Sequence, residues 1–498
     1  MRICITTMAL ALGFATATPS LAQASLQEEA QRAAAYDRFR ELFDAQRYEE
    51  ALPLARTVLE LTEAADPQHE ELPTAYNNLG VVQFRLGDLR AAEQSFETAL
   101  QLLEQTEAIS SRRLISPLAG LAAVYAAGGQ PARAADLLHR AIAISRRANG
   151  LFNVEQLDLI ESLIDSYEKL GNIDGVERER RYILQIVQQN YGVDDPRTVP
   201  ALTRLAEWYE HTNRYRLARL QWGRVTEIGL REGNGRNAAT INGLLGIART
   251  HRLQFVRDPD SLSGPPTSLD PVTGRADPIP FAQGRYGPVR LDPEGERAAL
   301  NALEILDLTT EPPAMLLMNT LMELGDWYIT GEKPAEAMLY YYRAWPLFSE
   351  SIVEGENNPL LAPRPLLYRA PAAASRNLGR TEGATYARPL EFSLTVTASG
   401  ETSDVTPVSE GPGGELSQVR RALERARFSP RFENGQPVAT EGYRFVEHWI
   451  EVLPDDTAQP EPELEPGPEA APGEENQMAQ PAGTDEPTSA SGYSSGGA

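Results

Sequence analysis

The sequence predicts a mainly α protein: an α-solenoid, then a small α+β domain of ββαβ order, then a disordered acidic tail. Three observations carry this. Residues of one kind return every 42 positions. A later stretch alternates apolar with polar side chains. The end of the chain is rich in carboxylates and holds no cation.

The first segment, residues 1–24, reads as a secretory signal. Arg2 precedes an apolar stretch from about Ile3 to Ala17, followed by Pro19 and the small-x-small triplet Ala22-Gln23-Ala24. That is the pattern of a cleaved leader. The stretch is too short to cross a bilayer comfortably, and no later segment is a transmembrane candidate. Cleavage is expected after Ala24, giving a soluble, periplasmic product without a membrane span. Cys4, the single cysteine, would leave with the signal. Stability then has to come from core burial rather than disulfides.

The period begins beyond the signal. Leu79, Leu121, Leu163 and Leu205 form one column, and Gly87, Gly129, Gly171 and Asn213 a second. Ala92, Ala134, Val176 and Ala218 form a third. A fixed period of this size marks one supersecondary unit copied along the chain. A single copy cannot bury its own apolar face, so the copies stack. Within one copy, Tyr76, Leu79 and Gly80 share a first helix, and Gly87 ends it. Leu89, Ala92, Phe96 and Ala99 then recur every three or four residues, which is one stripe on a second helix. The fourth copy departs from this pattern. Arg180 stands where a bulky apolar residue belongs, so a more exposed second helix is expected there. The solenoid takes residues 25–352, with a degenerate first copy near 34–61 and a last copy at 317–346. A Pro-, Gly- and Asp-rich loop insertion at about 256–295 interrupts it.

These positions resemble the tetratricopeptide repeat in its longer form. Leu79-Gly80, Leu121-Ala122 and Leu205-Ala206 match its helix-packing pair. Tyr125, Tyr167 and Tyr209 match its aromatic position, and Ala134, Leu138 and Ala141 its second-helix triplet. The resemblance implies a scaffold that binds other proteins.

Residues 353–386 contain Pro359, Pro363, Pro365 and Pro371 and read as a linker. Leu390, Phe392, Leu394 and Val396 then alternate with polar residues, the mark of a half-buried strand. Thr402–Val408 reads as a second strand, Leu416, Val419, Leu423 and Ala426 as a helical stripe, and Tyr443–Leu453 as a third strand. Asn434-Gly435 marks a turn. Residues 387–453 resemble the C-terminal domain of the TonB energy-transducer family. The resemblance rests on Phe392 to Val396, Gly400, Asp404-Val405, Ala426-Arg427-Phe428-Ser429-Pro430 and Asn434-Gly435-Gln436-Pro437-Val438. It implies capture of an extended outer-membrane receptor segment along a strand edge, placed at Tyr443, Phe445, Glu447 and Trp449. The family's transducers keep an N-terminal membrane helix and a Pro-rich spacer. This chain has a leader and a solenoid instead. An adaptor is therefore the leading reading, and a diverged transducer linked to receptor transport the alternative.

Residues 454–498 hold ten Asp and Glu, no Lys or Arg, and many Pro, Gly and Ser. Such a segment cannot offset its ordering entropy by burial.

The formal net charge of -24 argues against nucleic acid as a partner, since phosphate contacts need basic clusters. Five histidines occur, none in a metal-ligand spacing, and no phosphate loop or nucleophile elbow appears. No enzyme activity, cofactor or metal is expected. The one constellation that stands out is acidic. Groove-facing positions of the fourth copy are Asp158, Glu161, Asp165 and Glu168, and those of the fifth include Glu207 and Glu210. Residues three and four apart share a helix face. Six carboxylates on one surface would suit a basic protein or peptide segment. In the second and third copies the same positions are small or apolar, such as Val81, Phe84, Ala119 and Ala123.

Overall fold

The computed structural model describes residues 21–66, 69–257, 267–269, 276–278, 291–351, 358–371 and 385–452. Nearly all of the leader and the whole acidic tail read from the sequence lie outside them. The chain divides into two compact units, one of Met1–Pro371 with Leu390–Glu447, the other of Ala372–Pro389 with His448–Ala498. In the second, the described residues are the first few of one strand and the last few of another.

The first unit is built from helix pairs. They are α1 (Leu21–Asp44) with α2 (Tyr48–Ala65), α3 (Leu72–Arg85) with α4 (Leu89–Thr106), and α5 (Ile115–Ala127) with α6 (Pro131–Asn149). Next come α7 (Leu157–Lys169) with α8 (Ile173–Tyr191) and α9 (Val199–His211) with α10 (Tyr215–Arg231). The sixth pair is α11 (Ala238–Arg257) with α12 (Pro293–Asp307), and the seventh α13 (Ala314–Thr330) with α14 (Pro334–Ser351). The insertion therefore opens the sixth repeat between its two helices. Within it, β1 (Thr267–Leu269) and β2 (Ala276–Pro278) pair as an antiparallel hairpin.

The glycine column makes the turns. Gly87, Gly129, Gly171 and Asn213 all have left-handed φ, between 59° and 81°. Glycine adopts this without a Cβ penalty, and asparagine at a small one. Asp88 and Asn172, each one residue later, cap the second helices by accepting from the backbone N–H of Ala91 and Gly175.

Stacking rests on large aromatics set against glycines. Phe96 on α4 lies against Gly80 of its own first helix and Gly120 of the next one. Trp222 on α10 faces Gly246 on α11, Trp327 on α13 faces Gly295 on α12, and Tyr341 on α14 faces Gly325 on α13. At each of these glycines a Cβ would collide with the ring. Burying such a ring stabilises by about 1.5–3 kcal/mol.

Arg180 breaks the apolar column but not the packing. Its side chain is largely buried, with its guanidinium 2.7 Å from Glu168 and 5.7 Å from the Trp208 ring. The second helix is not opened to solvent as its sequence suggested. The ion pair lets a charged residue occupy the site.

The C-terminal module has more strands than the ββαβ order expected. A three-stranded sheet runs in the order β5–β4–β9, from β4 (Thr385–Val396), β5 (Thr402–Pro407) and β9 (Thr440–Val452). Leu390, Phe392, Leu394 and Val396 are buried, as their alternation requires. Helix α15 (Gly413–Glu424) packs beside β5, with Val419 and Leu423 buried. The expected linker is partly structure. Its residues Arg364–Leu367 form β3, antiparallel to β6 (Arg427–Ser429). Prolines 363 and 365 flank or sit in this two-stranded edge, where a missing N–H is tolerated. The Asn434-Gly435 turn joins β7 (Arg431–Glu433) to β8 (Gln436–Val438). Both turn residues have positive φ, 51° and 78°, as a two-residue hairpin of the right-handed twist needs.

This hairpin seals the end of the solenoid. Phe432 is buried against the rings of Tyr341, Tyr342 and Trp345 at 5.7–6.1 Å, and its N–H donates to the Leu360 carbonyl at 2.7 Å. A terminal repeat needs such a cover for its apolar face. Among the described residues, no helix is long and apolar enough to cross a membrane.

Gly246→Ala is expected to destabilise the protein by about 1–3 kcal/mol through overpacking at Trp222. Alanine is the better helix former by about 1 kcal/mol, so a stabilised variant in thermal unfolding would show that the ring is not held there.

Candidate functional site

The first helices share one face, and their groove positions touch from repeat to repeat. The Ser116 hydroxyl on α5 donates to Asn77 on α3 at 3.2 Å. Arg204 on α9 pairs with Glu161 on α7. Arg249 on α11 holds Glu210 on α9 through two bonds of 2.8 and 3.1 Å.

The six carboxylates singled out in the sequence do not form one uncompensated surface. Glu161, Glu168 and Glu210 have arginine partners within the chain, Arg204, Arg180 and Arg249. Glu168 and Glu210 turn toward the second helix of their own repeat. Each meets the residue twelve positions on: Glu168 meets Arg180, and Glu210 accepts from the Trp222 indole N–H at 2.6 Å. A charge placed there packs between helices rather than facing a partner. Asp158, Asp165 and Glu207 stay exposed.

One further period of 42 beyond Glu207 and Glu210 reaches Arg249 and Arg252. The groove columns thus change sign at the sixth repeat. Sequence reading stopped at the fifth because the insertion hides the sixth, although the same spacing pointed to both arginines. With the seventh repeat they enclose a cavity of about 660 Å³. Thr203 and Glu207 come from α9, Asn242, Leu245, Arg249 and Arg252 from α11, and Met315, Met318 and Met322 from α13. Methionine is unbranched and polarizable, so it adapts to varied apolar side chains.

The wall of this cavity is a buried polar network. Arg252 is 7 % exposed and donates to both Glu323 oxygens at 2.8 Å. Asp326 accepts from the Tyr341 hydroxyl at 2.8 Å and from Arg364 of β3 at 3.0 Å. Burial works against the Arg252 charge, but pairing with Glu323 and proximity to Asp326 prevail and raise its pKa. Burial and the Asp326 carboxylate push the Tyr341 hydroxyl well above its ordinary value, so it stays a donor.

His251, Asp292 and Glu294 are the one trio among the described residues whose potential ligand atoms lie within 4.8 Å of one another. His251 Nδ1 is 3.4 Å from Asp292. Two features oppose a cation there. Burial and then the nearby Arg219 lower the His251 pKa, and Asp292 caps the positive end of α12. The arrangement fits a neutral imidazole beside a capping carboxylate.

The strand-edge residues all lie on β9. Phe445, Glu447 and Trp449 on β9 are buried, and Tyr443 is half-buried against Phe428. Phe445 packs on Tyr368 and Phe428. These are the inward members of the alternation, and Arg444, Val446 and His448 are the outward ones. The four named side chains therefore lie on the inward half of the strand, while β9 itself stands at one end of the strand order, where pairing would run through its backbone.

Residues 42–105 and 118–155 match models of the tetratricopeptide repeat. The chain carries these repeats, which mediate protein–protein interaction and are typical of non-enzymatic proteins. The matched residues do not include the C-terminal module. No curated protein matches the chain. Among solved structures, it is similar to the C-terminal part of a repeat-containing protein from Cytophaga hutchinsonii, at 16% identity over 63% of this chain and 95% of that one, with a TM-score of 0.40. A tetratricopeptide repeat protein from Parabacteroides merdae matches at 15% identity over 66% and 94%, TM-score 0.34. BtubC from P. vanneervenii matches at 16% identity over 57% and 94%, TM-score 0.35.

Arg252→Met should cost about 3–5 kcal/mol, because it leaves Glu323 buried without its cation. Adding Glu323→Met should recover most of that loss in denaturant unfolding. A single-variant cost below about 1 kcal/mol would mean the pair is solvated.

Burial, then Arg219, lowers the His251 pKa below the ordinary 6.5. The folded chain therefore resists a proton that the unfolded chain accepts. Stability from this group is complete above pH 6.5 and is lost as pH falls toward the depressed folded value. His251→Gln should flatten the decline in melting temperature between neutral pH and about pH 5.5. An unchanged decline would assign it to other groups.

Proposed function

We propose that this chain, a carrier of tetratricopeptide repeats, is an exported, periplasmic adaptor that holds a protein segment along its groove. The observation that carries the reading is the cavity where the groove columns of three successive repeats converge. It offers apolar methionines beside fixed arginines and opens next to Glu207. Asp158, Asp165 and Glu207 give the neighbouring groove an exposed acidic rim that has no ion pair among the described residues. The partner is a segment with basic residues over that rim and an apolar residue in the cavity. Export rests on the leader-like pattern that ends at Ala22-Gln23-Ala24.

A second reading concerns the C-terminal module. Its resemblance to TonB C-terminal domains and the terminal position of β9 in its sheet favour pairing with an extended segment, including one from an outer-membrane receptor. Adaptor and diverged transducer then differ in attachment. Mature protein beginning at Ser25 in a soluble fraction supports the adaptor, and membrane-bound protein retaining Met1 supports the transducer.

A fluorescent lysine-rich peptide ending in leucine tests the groove. Asp165→Lys with Glu207→Lys should weaken its binding at least tenfold without changing the melting temperature. Met315→Asp, at the exposed cavity rim, should weaken it less. Binding should also fall with salt, because exposed charges are screened over about 8 Å at physiological ionic strength. Affinity unchanged by the double reversal would remove the groove from the proposal.

A further inference from the structure

Outside the groove, cations gather where the C-terminal module meets the last repeat. A cavity of about 600 Å³ is lined by Arg369, which follows β3, Arg421 from α15, Arg425 at that helix's C-cap, and Arg427 from β6. Its carboxylates are Glu332 and Glu424. Glu424 already faces Arg420 at 3.6 Å, and Glu332 reaches Arg427 only at 3.8 Å. Arg369, Arg421 and Arg425 are exposed and have no ion pair among the described residues. In a chain of net charge -24, this is an excess of cations on one cleft.

The end of α15 explains part of it. Cations are favoured near a helix C-terminus, which suits Arg421 and Arg425. They are also one turn apart, and like charges at that spacing repel. Neither effect explains Arg369 and Arg427, which arrive from other elements. A bound anion would relieve all four.

A second cavity of about 570 Å³ adjoins the first and shares Glu332, Leu367 and Arg369 with it. It adds Phe255, Trp327, Tyr328 and Lys333. Arg369 stands where the two meet, its guanidinium 5.2 Å from the Phe255 ring, and Lys333 lies 5.7 Å from the Tyr328 ring. Glu296 is engaged by the Tyr328 hydroxyl at 2.6 Å. One compartment is thus cationic and the next aromatic.

We infer that this double cleft binds an acidic peptide segment that carries an aromatic side chain. Planar guanidinium forks pair with carboxylates in bidentate fashion. The neighbouring compartment accepts the aromatic ring, which an inorganic anion lacks. The site is separate from the groove and of opposite charge, so it does not depend on the groove's ligand.

The test uses the full-length protein and a labelled peptide with one tryptophan among glutamates. Saturable binding is expected by fluorescence anisotropy. Arg421→Glu with Arg425→Glu, both at exposed positions, should weaken it at least tenfold with an unchanged melting temperature. Replacing the peptide's tryptophan with serine should weaken it at least threefold. Failure to bind at millimolar peptide, or affinity untouched by the double reversal, overturns the site. Equal binding of the serine peptide, or competition by pyrophosphate at the peptide's own concentration, overturns the choice of an acidic aromatic peptide. Met315→Asp, which puts a carboxylate at the rim of the groove cavity, should leave this binding unchanged, and its loss in that variant would place the peptide in the groove instead.

Discussion

One buried arginine organises the last third of the solenoid. Arg252 on α11 is satisfied by Glu323 on α13, and Asp326 on the same helix takes Tyr341 from α14 and Arg364 from β3. Four elements are thus tied through two carboxylates one turn apart. A buried pair of this kind contributes little net stability compared with apolar replacement, but breaking it is costly. Its effect is on geometry. It fixes where the sixth and seventh repeats stand, and hence the shape of the methionine-lined cavity between them.

Elsewhere the repeats are spaced by shape. A ring on one helix fills the place a Cβ would occupy on another, at Phe96 with Gly80 and at Trp222 with Gly246. Close packing of this kind leaves little room for adjustment. The groove is therefore a preformed surface, and its charges are set by which columns the chain fills. Acidic residues occupy the fourth and fifth repeats, arginines the sixth, and each side partly neutralises the other across the repeat boundary.

The repeat architecture was legible because period, glycine turns and apolar stripes all recur in register. Arg180 shows where single positions mislead. Read alone it suggested an exposed helix, and Glu168 read alone suggested a ligand site. Twelve residues apart, they are each other's explanation. Glu210 and Trp222 repeat the same relation. The groove arithmetic carried as far as Glu207 and Glu210 and was cut off by the insertion, so Arg249 and Arg252 escaped it. On β9 the alternation was visible, but which half of it turns inward depends on Phe428 and Tyr368, residues remote in sequence. The β3–β6 pairing was hidden for a like reason. Its strands are separated by some sixty residues, and prolines made the first look like a linker.

The split sixth repeat has a consequence for how the chain is made. Contacts in the early repeats close over one period, as between Asn77 and Ser116, 39 residues apart. Arg252 must wait for a partner 71 residues downstream. A chain that folds from its N-terminus as it emerges keeps α11 beside finished repeats with its arginine unanswered until Glu323 follows. During that interval the nascent protein ends in an unsealed helix. The insertion between the two helices of this repeat lengthens that separation, and the β7–β8 hairpin with Phe432, which covers the last repeat, comes later still in the chain.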